Sequence, residues 1–119
     1  MRNDFRKTAA GFVIATFLFV PQALAQNGAN AYLLSLAPNA RAQMLGKVVG
    51  DRCVGKETFY MGIGTSGFSR DKAFWSVRCQ DGRSYVVEAH PDGTSKVLEC
   101  AALKALHAGE CFKKFPDAK

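Results

Sequence analysis

Two short turn sequences constrain the fold of this chain more than any other feature. Gln80-Asp81-Gly82 and Pro91-Asp92-Gly93 each separate segments in which apolar and polar residues alternate, a pattern typical of antiparallel hairpins. At the first turn, a three-residue loop with glycine in the left-handed bulge position pairs Trp75 with Val87. A two-residue loop would instead set Trp75 opposite Glu88. We therefore predict the three-residue loop, because it places apolar residues together on one face.

The same loop length at the second turn supports a continuous meander. It pairs Glu88 with Lys96 and Val87 with Val97, which gives one pair of opposite charges and one apolar pair. The sequence therefore predicts four antiparallel strands, over residues 57–63, 73–79, 83–90 and 94–99.

Helices are predicted on both sides of this meander. Pro38 suits a first helical turn and Gly50 a left-handed end, and apolar residues recur between them at helical spacing, which predicts a helix over 38–49. Residues 26–30 are polar and are expected to be loose, and 31–36 to form a short helical turn. A second short helix is predicted over 101–108, with Gly109 as its stop, and the tail is expected to dock on the core through Phe112 and Phe115. The fold class is α+β: an N-terminal helix on a four-stranded antiparallel meander, followed by a short C-terminal helix.

The first 25 residues have the three parts of an export signal. Basic residues precede an apolar run over 9–20, Pro21 ends the run, and Ala23-Leu24-Ala25 is an A-x-A cleavage site. The run is shorter than the ~20 apolar residues that span a bilayer. We predict a cleaved signal peptide over 1–25 and one small domain over 26–119, periplasmic or secreted, with no stable membrane span after cleavage. The basic residues are Arg2, Arg6 and Lys7.

All four cysteines follow the predicted cleavage site, and an even count in a small exported domain indicates two disulfides. In the predicted register Cys79 and Cys100 lie on opposite faces of the sheet, and bonded cysteines need Cα atoms within ~7 Å. Two pairings remain: Cys53–Cys79 with Cys100–Cys111, or Cys53–Cys100 with Cys79–Cys111. We favour the first, because a Cys100–Cys111 bond clips the short helix to its return segment.

Charge and composition favour binding over catalysis. Removing residues 1–25 takes away three basic residues and one acidic residue, which leaves a net charge of +4. That charge favours an unknown protein or an anionic envelope component as partner, and the lack of a dense Lys/Arg stripe disfavours nucleic acid. The loop over 64–72 combines hydroxyls and positive charge with backbone N–H groups expected to be exposed, so it is the predicted binding loop. Its candidate residues are Thr65, Ser66, Ser69, Arg70 and Lys72.

The sequence assigns no catalytic, cofactor-binding or metal-binding residue, but three other chemistries have candidate residues or motifs. The first alternative is a small cell-envelope hydrolase that uses His90 or His107 as proton carrier, although no G-x-S-x-G occurs. The second is a metal-binding protein that uses Cys100, His107 and Cys111, with His90 as fourth ligand. Residues 62–67 match G-x-G-x-x-G, but the sequence after them does not open a long helix, so no dinucleotide cofactor is expected.

Three segments resemble small exported proteins of proteobacteria: FWSVRC at 74–79, DGRSY at 81–85 and VLECAALK at 97–104. The order of a helix followed by a meander is also similar to PepSY-like domains, a family associated with inhibition or binding. The resemblance implies a binding role and transfers no active-site residue to this chain.

Intact mass spectrometry of the native protein tests both the export signal and the disulfides. We expect a chain that begins at Gln26 and gains two hydrogens for each of two disulfides when it is reduced. Native protein that begins at Met1 and has four free thiols would contradict both predictions.

Overall fold

The computed structural model describes residues 27–116 and has the predicted α+β class. The predicted signal peptide, residues 1–25, lies outside the described residues. The elements in chain order are α1 (Gly28–Ser35), α2 (Pro38–Val49), β1 (Gly55–Ile63), a 3-10 helix (Gly67–Ser69), β2 (Ala73–Cys79), β3 (Ser84–Ala89), β4 (Ser95–Glu99) and α3 (Cys100–Ala105).

The sheet is an antiparallel meander in the order β1-β2-β3-β4. Trp75 pairs with Val87 and Glu88 pairs with Lys96, so both predicted registers are confirmed. Gly82 and Gly93 have φ angles of 94° and 91°, the left-handed conformation that the bulge position requires. β2 has its predicted bounds, β1 begins two residues early, and β3 and β4 are each slightly shorter than predicted.

The N-terminal segment differs from the prediction that residues 26–30 are loose. Asn27 and Asn30 are only 6% and 4% exposed, and α1 begins at Gly28. The Asn27 side chain accepts a hydrogen bond from the Asn30 backbone N–H, which caps the helix. Its amide nitrogen donates to the backbone oxygens of Asp71 and Ala89. Asn27 therefore joins the start of α1 to the loop before β2 and to the end of β3.

A buried polar network joins α1 to the centre of the sheet. Trp75, which is 1% exposed, donates from Nε1 to Oδ1 of Asn30 at 2.8 Å. The amide of Asn30 donates to the hydroxyl of Tyr60 at 3.0 Å, and the rings of Tyr60 and Trp75 lie 4.7 Å apart. The network satisfies the indole N–H, which would otherwise be buried without a partner.

Helix α2 has the predicted bounds and packs closely on β1. A Cβ added to Gly46 would lie 2.6 Å from the backbone nitrogen of Gly55 and 2.9 Å from the oxygen of Cys53, so only glycine permits this approach. Leu45, 1% exposed, fills the space between the helix and the sheet. Gly50 follows the helix with a φ of 71°, as its predicted role as a left-handed stop requires.

The opposite face of the sheet is covered by α3 and the C-terminal segment. Phe115 stacks on Phe74 with ring centroids 4.2 Å apart, and its backbone N–H donates to the oxygen of Met61. The backbone N–H of Phe112 donates to the hydroxyl of the buried Ser76 at 2.8 Å. The predicted docking of the tail is therefore confirmed.

Helix α3 is shorter than the predicted 101–108. His107 adopts a left-handed φ of 56°, and the N–H of Ala108 donates to the oxygen of Leu103. This closing hydrogen bond ends the helix before Gly109, the predicted stop. Leu103, 6% exposed, holds the short helix against the sheet.

Both favoured disulfides are present. The Cα atoms are 5.1 Å apart in Cys53–Cys79 and 5.7 Å apart in Cys100–Cys111. The first bond ties the segment after α2 to the end of β2, and the second ties α3 to the tail. No helix within residues 27–116 is long and apolar enough to cross a membrane.

We expect Asn30→Ala to lower the free energy of unfolding by about 1–3 kcal/mol, because it leaves the buried indole N–H of Trp75 without an acceptor. Urea unfolding followed by the fluorescence of Trp75, the only tryptophan, measures the change. Asn39→Ala, at an exposed position of α2, is the control and should change stability by less than about 0.5 kcal/mol. Equal midpoints for the two variants would contradict the structural role of the network.

Candidate functional site

The predicted binding loop, 64–72, is closed by its own backbone hydrogen bonds. The N–H of Gly64 donates to the oxygen of Lys72, and the N–H of Asp71 donates back to the oxygen of Gly64. The N–H groups of Arg70 and Lys72 donate within the loop as well. The expectation that backbone N–H groups are exposed for a ligand is wrong for these four residues, because a tight turn uses them. These four N–H groups are therefore not available to a ligand.

The five candidate residues of this loop lie in different places. Thr65, Ser66 and Arg70 are exposed on its outer side, and the hydroxyl of Ser69 donates to the backbone oxygen of Ser66 at 2.9 Å. Ser69 and Lys72 line a groove between the loop and α3, and the other three do not. The structure therefore brings part of the predicted loop together with residues from β4, α3 and the tail.

This amphipathic groove has a volume of about 390 Å³ and an apolar floor. The stacked rings of Phe74 and Phe115 form one part of the floor, and Leu98 of β4 and Leu103 of α3 form another. Phe74 and Leu103 are 6% exposed, so the floor is part of the second hydrophobic cluster. The groove is a surface extension of the core on this face of the sheet.

Two exposed apolar side chains form the rim of the groove. Phe68, at the 3-10 helix, is 95% exposed, and Leu106, just after α3, is 67% exposed. Both side chains line the same groove. A phenylalanine this exposed contributes almost no burial to the fold, so it is available to a partner. Sequence reasoning did not single out either residue, although an aromatic residue inside a glycine- and serine-bearing loop was the available signal.

Two lysines and one glutamate supply the charge of the amphipathic groove. Lys72 and Lys96 form no ion pair among the described residues. Glu88 lies beside Lys96 in the register, as predicted, but its side-chain hydrogen bond is with His90, at 3.0 Å between Oε1 and Nε2. The groove therefore has two lysines and one glutamate next to an apolar floor, which leaves an excess of positive charge.

A basic cleft lies on the far side of the same helix and tail. Leu103 and Leu106 of the α3 region line the amphipathic groove, whereas the intervening Lys104 and the following His107 line this second cleft, of about 440 Å³. The tail contributes two further lysines, and its one glutamate, Glu110, is paired with a lysine at 3.2 Å. The lysines of the basic cleft are Lys104, Lys113 and Lys114.

A third cleft, of about 420 Å³, surrounds Arg83, but the positive charge of this arginine is already paired with carboxylates. The guanidinium lies 2.8 Å from a carboxylate oxygen of Asp51 and 2.7 Å from one of Asp81. The backbone N–H and guanidinium of Arg83 lower the pKa of Asp81, and the hydrogen bond that the guanidinium donates to Asp81 raises the pKa of Arg83. Arg83 is thus engaged in holding the β2–β3 hairpin.

The two histidines proposed for a hydrolase lie in separate places. His90 is held at the β3–β4 hairpin, with Nε2 3.0 Å from Glu88 and Nδ1 3.1 Å from the hydroxyl of Thr94. That hydroxyl donates to Asp92 at 2.6 Å, so Thr94 is committed to the turn and is not a poised nucleophile. His107 lines the basic cleft.

The metal and cofactor alternatives find no support in the geometry. Cys100 and Cys111 are bonded to each other and supply no thiolate, and no group of three or more metal-binding side chains occurs within residues 27–116. The glycine motif at 62–67 is followed by a 3-10 helix of three residues, not by the long helix that a dinucleotide site requires.

No family model, curated protein or solved structure matches this chain. The resemblance to small exported proteins and to PepSY-like domains therefore stays a prediction, and the function is argued from the surface of the molecule itself.

The β3–β4 turn generates a prediction for acid unfolding. The hydroxyl and then the backbone N–H of Thr94 lower the pKa of Asp92 below its ordinary 3.8. A lowered pKa stabilises the fold above pH 3.8, and this contribution is lost as the pH falls through the pKa of the folded state. We expect Asp92→Asn to unfold at lower urea than the parent near neutral pH, and the difference to vanish in strong acid.

Urea midpoints measured from neutral to strongly acidic pH check this expectation. Asp71→Asn is the control, because the Asp71 carboxyl accepts no hydrogen bond among the described residues. A midpoint difference for Asp92→Asn that persists into strong acid would show that its carboxylate charge is not the cause.

Proposed function

We propose that this protein is a non-catalytic binding module of the periplasm or the extracellular space, and that it binds partners that join an anionic group to an apolar segment. The observation that carries the proposal is the composition of the amphipathic groove. Phe68 and Leu106 stand exposed at its rim, and Lys72 and Lys96 lie in it without an ion-pair partner among the described residues.

The proposed location rests on the export signal and the cysteines. The A-x-A site at 23–25 follows a basic head and an apolar run, as signal peptidase substrates require. All four cysteines are oxidised to disulfides, which persist in the periplasm and outside the cell and are rare in the cytosol.

The two parts of the groove have different roles in binding. Burying an exposed Phe68 against a partner stabilises the complex by about 1.5–3 kcal/mol. A lysine at a solvent-exposed rim adds only about 0–1 kcal/mol through an ion pair. The apolar part therefore supplies most of the affinity, and Lys72 and Lys96 supply the preference for an anion and its orientation.

The order of the loop also favours binding. Backbone hydrogen bonds between Gly64, Asp71 and Lys72 close the loop, and the side-chain amide of Asn27 donates a hydrogen bond to the backbone oxygen of Asp71. Phe68 is therefore presented from a backbone that is already ordered, so little conformational entropy is lost when a partner binds.

Titration with monomeric dodecanoate tests the proposal. We expect saturable amide shifts in NMR spectra at residues of the amphipathic groove, and a neutral dodecyl glucoside to bind more weakly. Phe68→Ser should weaken dodecanoate binding by about tenfold or more, because it removes the largest exposed apolar contact. Lys72→Glu with Lys96→Glu should remove the preference for the anion.

Two matched variants control for general effects of the substitutions. Tyr32→Ser changes an aromatic residue of α1, 52% exposed on the helix-covered side, and Lys56→Glu reverses an exposed charge in β1. Both should bind dodecanoate as the parent does. The absence of saturable shifts, or shifts confined to the side covered by α1 and α2, would refute the proposed site.

A further inference from the structure

The exposed apolar residues of the amphipathic groove project from the surface. Phe68 is 95% exposed at the loop and Leu106 is 67% exposed beyond α3, although both line one groove. A pocket built around a small ligand encloses its apolar contacts, whereas side chains that project are suited to insertion into a soft apolar phase.

Positive charge lines the amphipathic groove and continues around α3 into the basic cleft. Five lysines line the amphipathic groove and the basic cleft. Two glutamates line the same clefts: Glu110 pairs with one of the five lysines, Lys113, and Glu88 contacts His90, so lysines remain in excess. A distribution this broad complements a negatively charged surface better than a single anionic group. The lysines are Lys72, Lys96, Lys104, Lys113 and Lys114.

From these two observations we infer that the partner of the amphipathic groove is the surface of a bilayer that contains anionic phospholipid. Phe68 and Leu106 enter the headgroup region, and Lys72 and Lys96 of the same groove contact lipid phosphates. This inference rests on the proposed function and names the partner at the same site.

Exposed side chains that do not line the amphipathic groove supply matched controls. Tyr32 and Leu34 of α1 are 52% and 47% exposed, which makes them apolar residues comparable with Leu106. Lys47 is an exposed lysine of α2 and Lys56 of β1. α1 and α2 cover the face opposite to α3, so a bilayer held by the groove does not reach the residues of these helices.

Sedimentation with vesicles tests the inference on the native, oxidised protein. We expect it to bind vesicles that contain equal amounts of phosphatidylcholine and phosphatidylglycerol, and not vesicles of phosphatidylcholine alone. Binding should weaken as salt is raised, because the charge contacts are exposed to solvent. Phe68→Ala with Leu106→Ala should lower the partition coefficient by about tenfold or more. Lys72→Glu with Lys96→Glu should also lower it by about tenfold or more.

The control pairs, Tyr32→Ser with Leu34→Ser and Lys47→Glu with Lys56→Glu, should leave vesicle binding unchanged. A loss of binding in the control pairs equal to that in the groove variants would overturn the inference, since it would reveal attraction by net charge or general stickiness alone.

A second measurement reports insertion directly. In Phe68→Trp, lipids brominated on their acyl chains should quench fluorescence beyond any quenching in the parent, whose Trp75 is buried. Vesicle binding without this extra quenching would overturn the inserted geometry.

The outcomes separate the inference from the proposed function. Saturable dodecanoate binding in the groove without vesicle binding would overturn the bilayer inference and leave the proposed function standing. Binding of an acidic, apolar peptide by the groove, with no vesicle binding, would assign the site to a protein partner and overturn the inference. If dodecanoate, the peptide and the vesicles all fail to bind, both the bilayer inference and the proposed function are overturned.

Discussion

The hydrogen bond from the indole of Trp75 to Asn30 is the interaction on which the arrangement of this small domain depends. It places a polar group of α1 at the centre of the sheet, where an unsatisfied N–H would cost about 1–3 kcal/mol. The neighbouring Asn27 extends the same connection to Asp71 and Ala89. The first residues of the described chain thereby fix both the helical layer and the base of the loop that carries Phe68.

The two faces of the sheet are covered to different extents. One face is closed by α1 and α2 over Trp75 and Leu45, which are almost fully buried. The other is covered by a six-residue helix and the tail, and the half-buried Leu98 and Phe115 form part of the floor of the amphipathic groove there. A domain of this size has a limited core, so a partner that binds there buries apolar surface that the chain cannot cover by itself.

The hairpins could be predicted from the sequence because they depend on short-range rules, and the predicted register narrowed the disulfides to two pairings. A turn glycine fixes loop length, loop length fixes register, and register decides which face Cys79 occupies. The burial of Asn27 and Asn30 could not be predicted from the sequence. It depends on hydrogen-bond partners in the sheet, Ala89 and Trp75, that are 62 and 45 residues away along the chain. The groove could be predicted only in part. The sequence indicated the loop, but the role of Phe68 depends on Leu106, which only the tertiary structure brings to the same rim.

The bond between Cys100 and Cys111 makes the shape of the amphipathic groove depend on the oxidation state of two thiols. The ring that it closes contains α3 and the turn after it, which together form the outer wall of the amphipathic groove. Closing a ring of this length reduces the conformational entropy of the unfolded chain, which stabilises the folded state by about 3 kcal/mol. A reduced chain lacks that constraint, and its wall is held by Leu103, the stacked phenylalanines and the backbone hydrogen bonds of Phe112 and Phe115. Oxidation of these two thiols therefore completes the wall of the amphipathic groove.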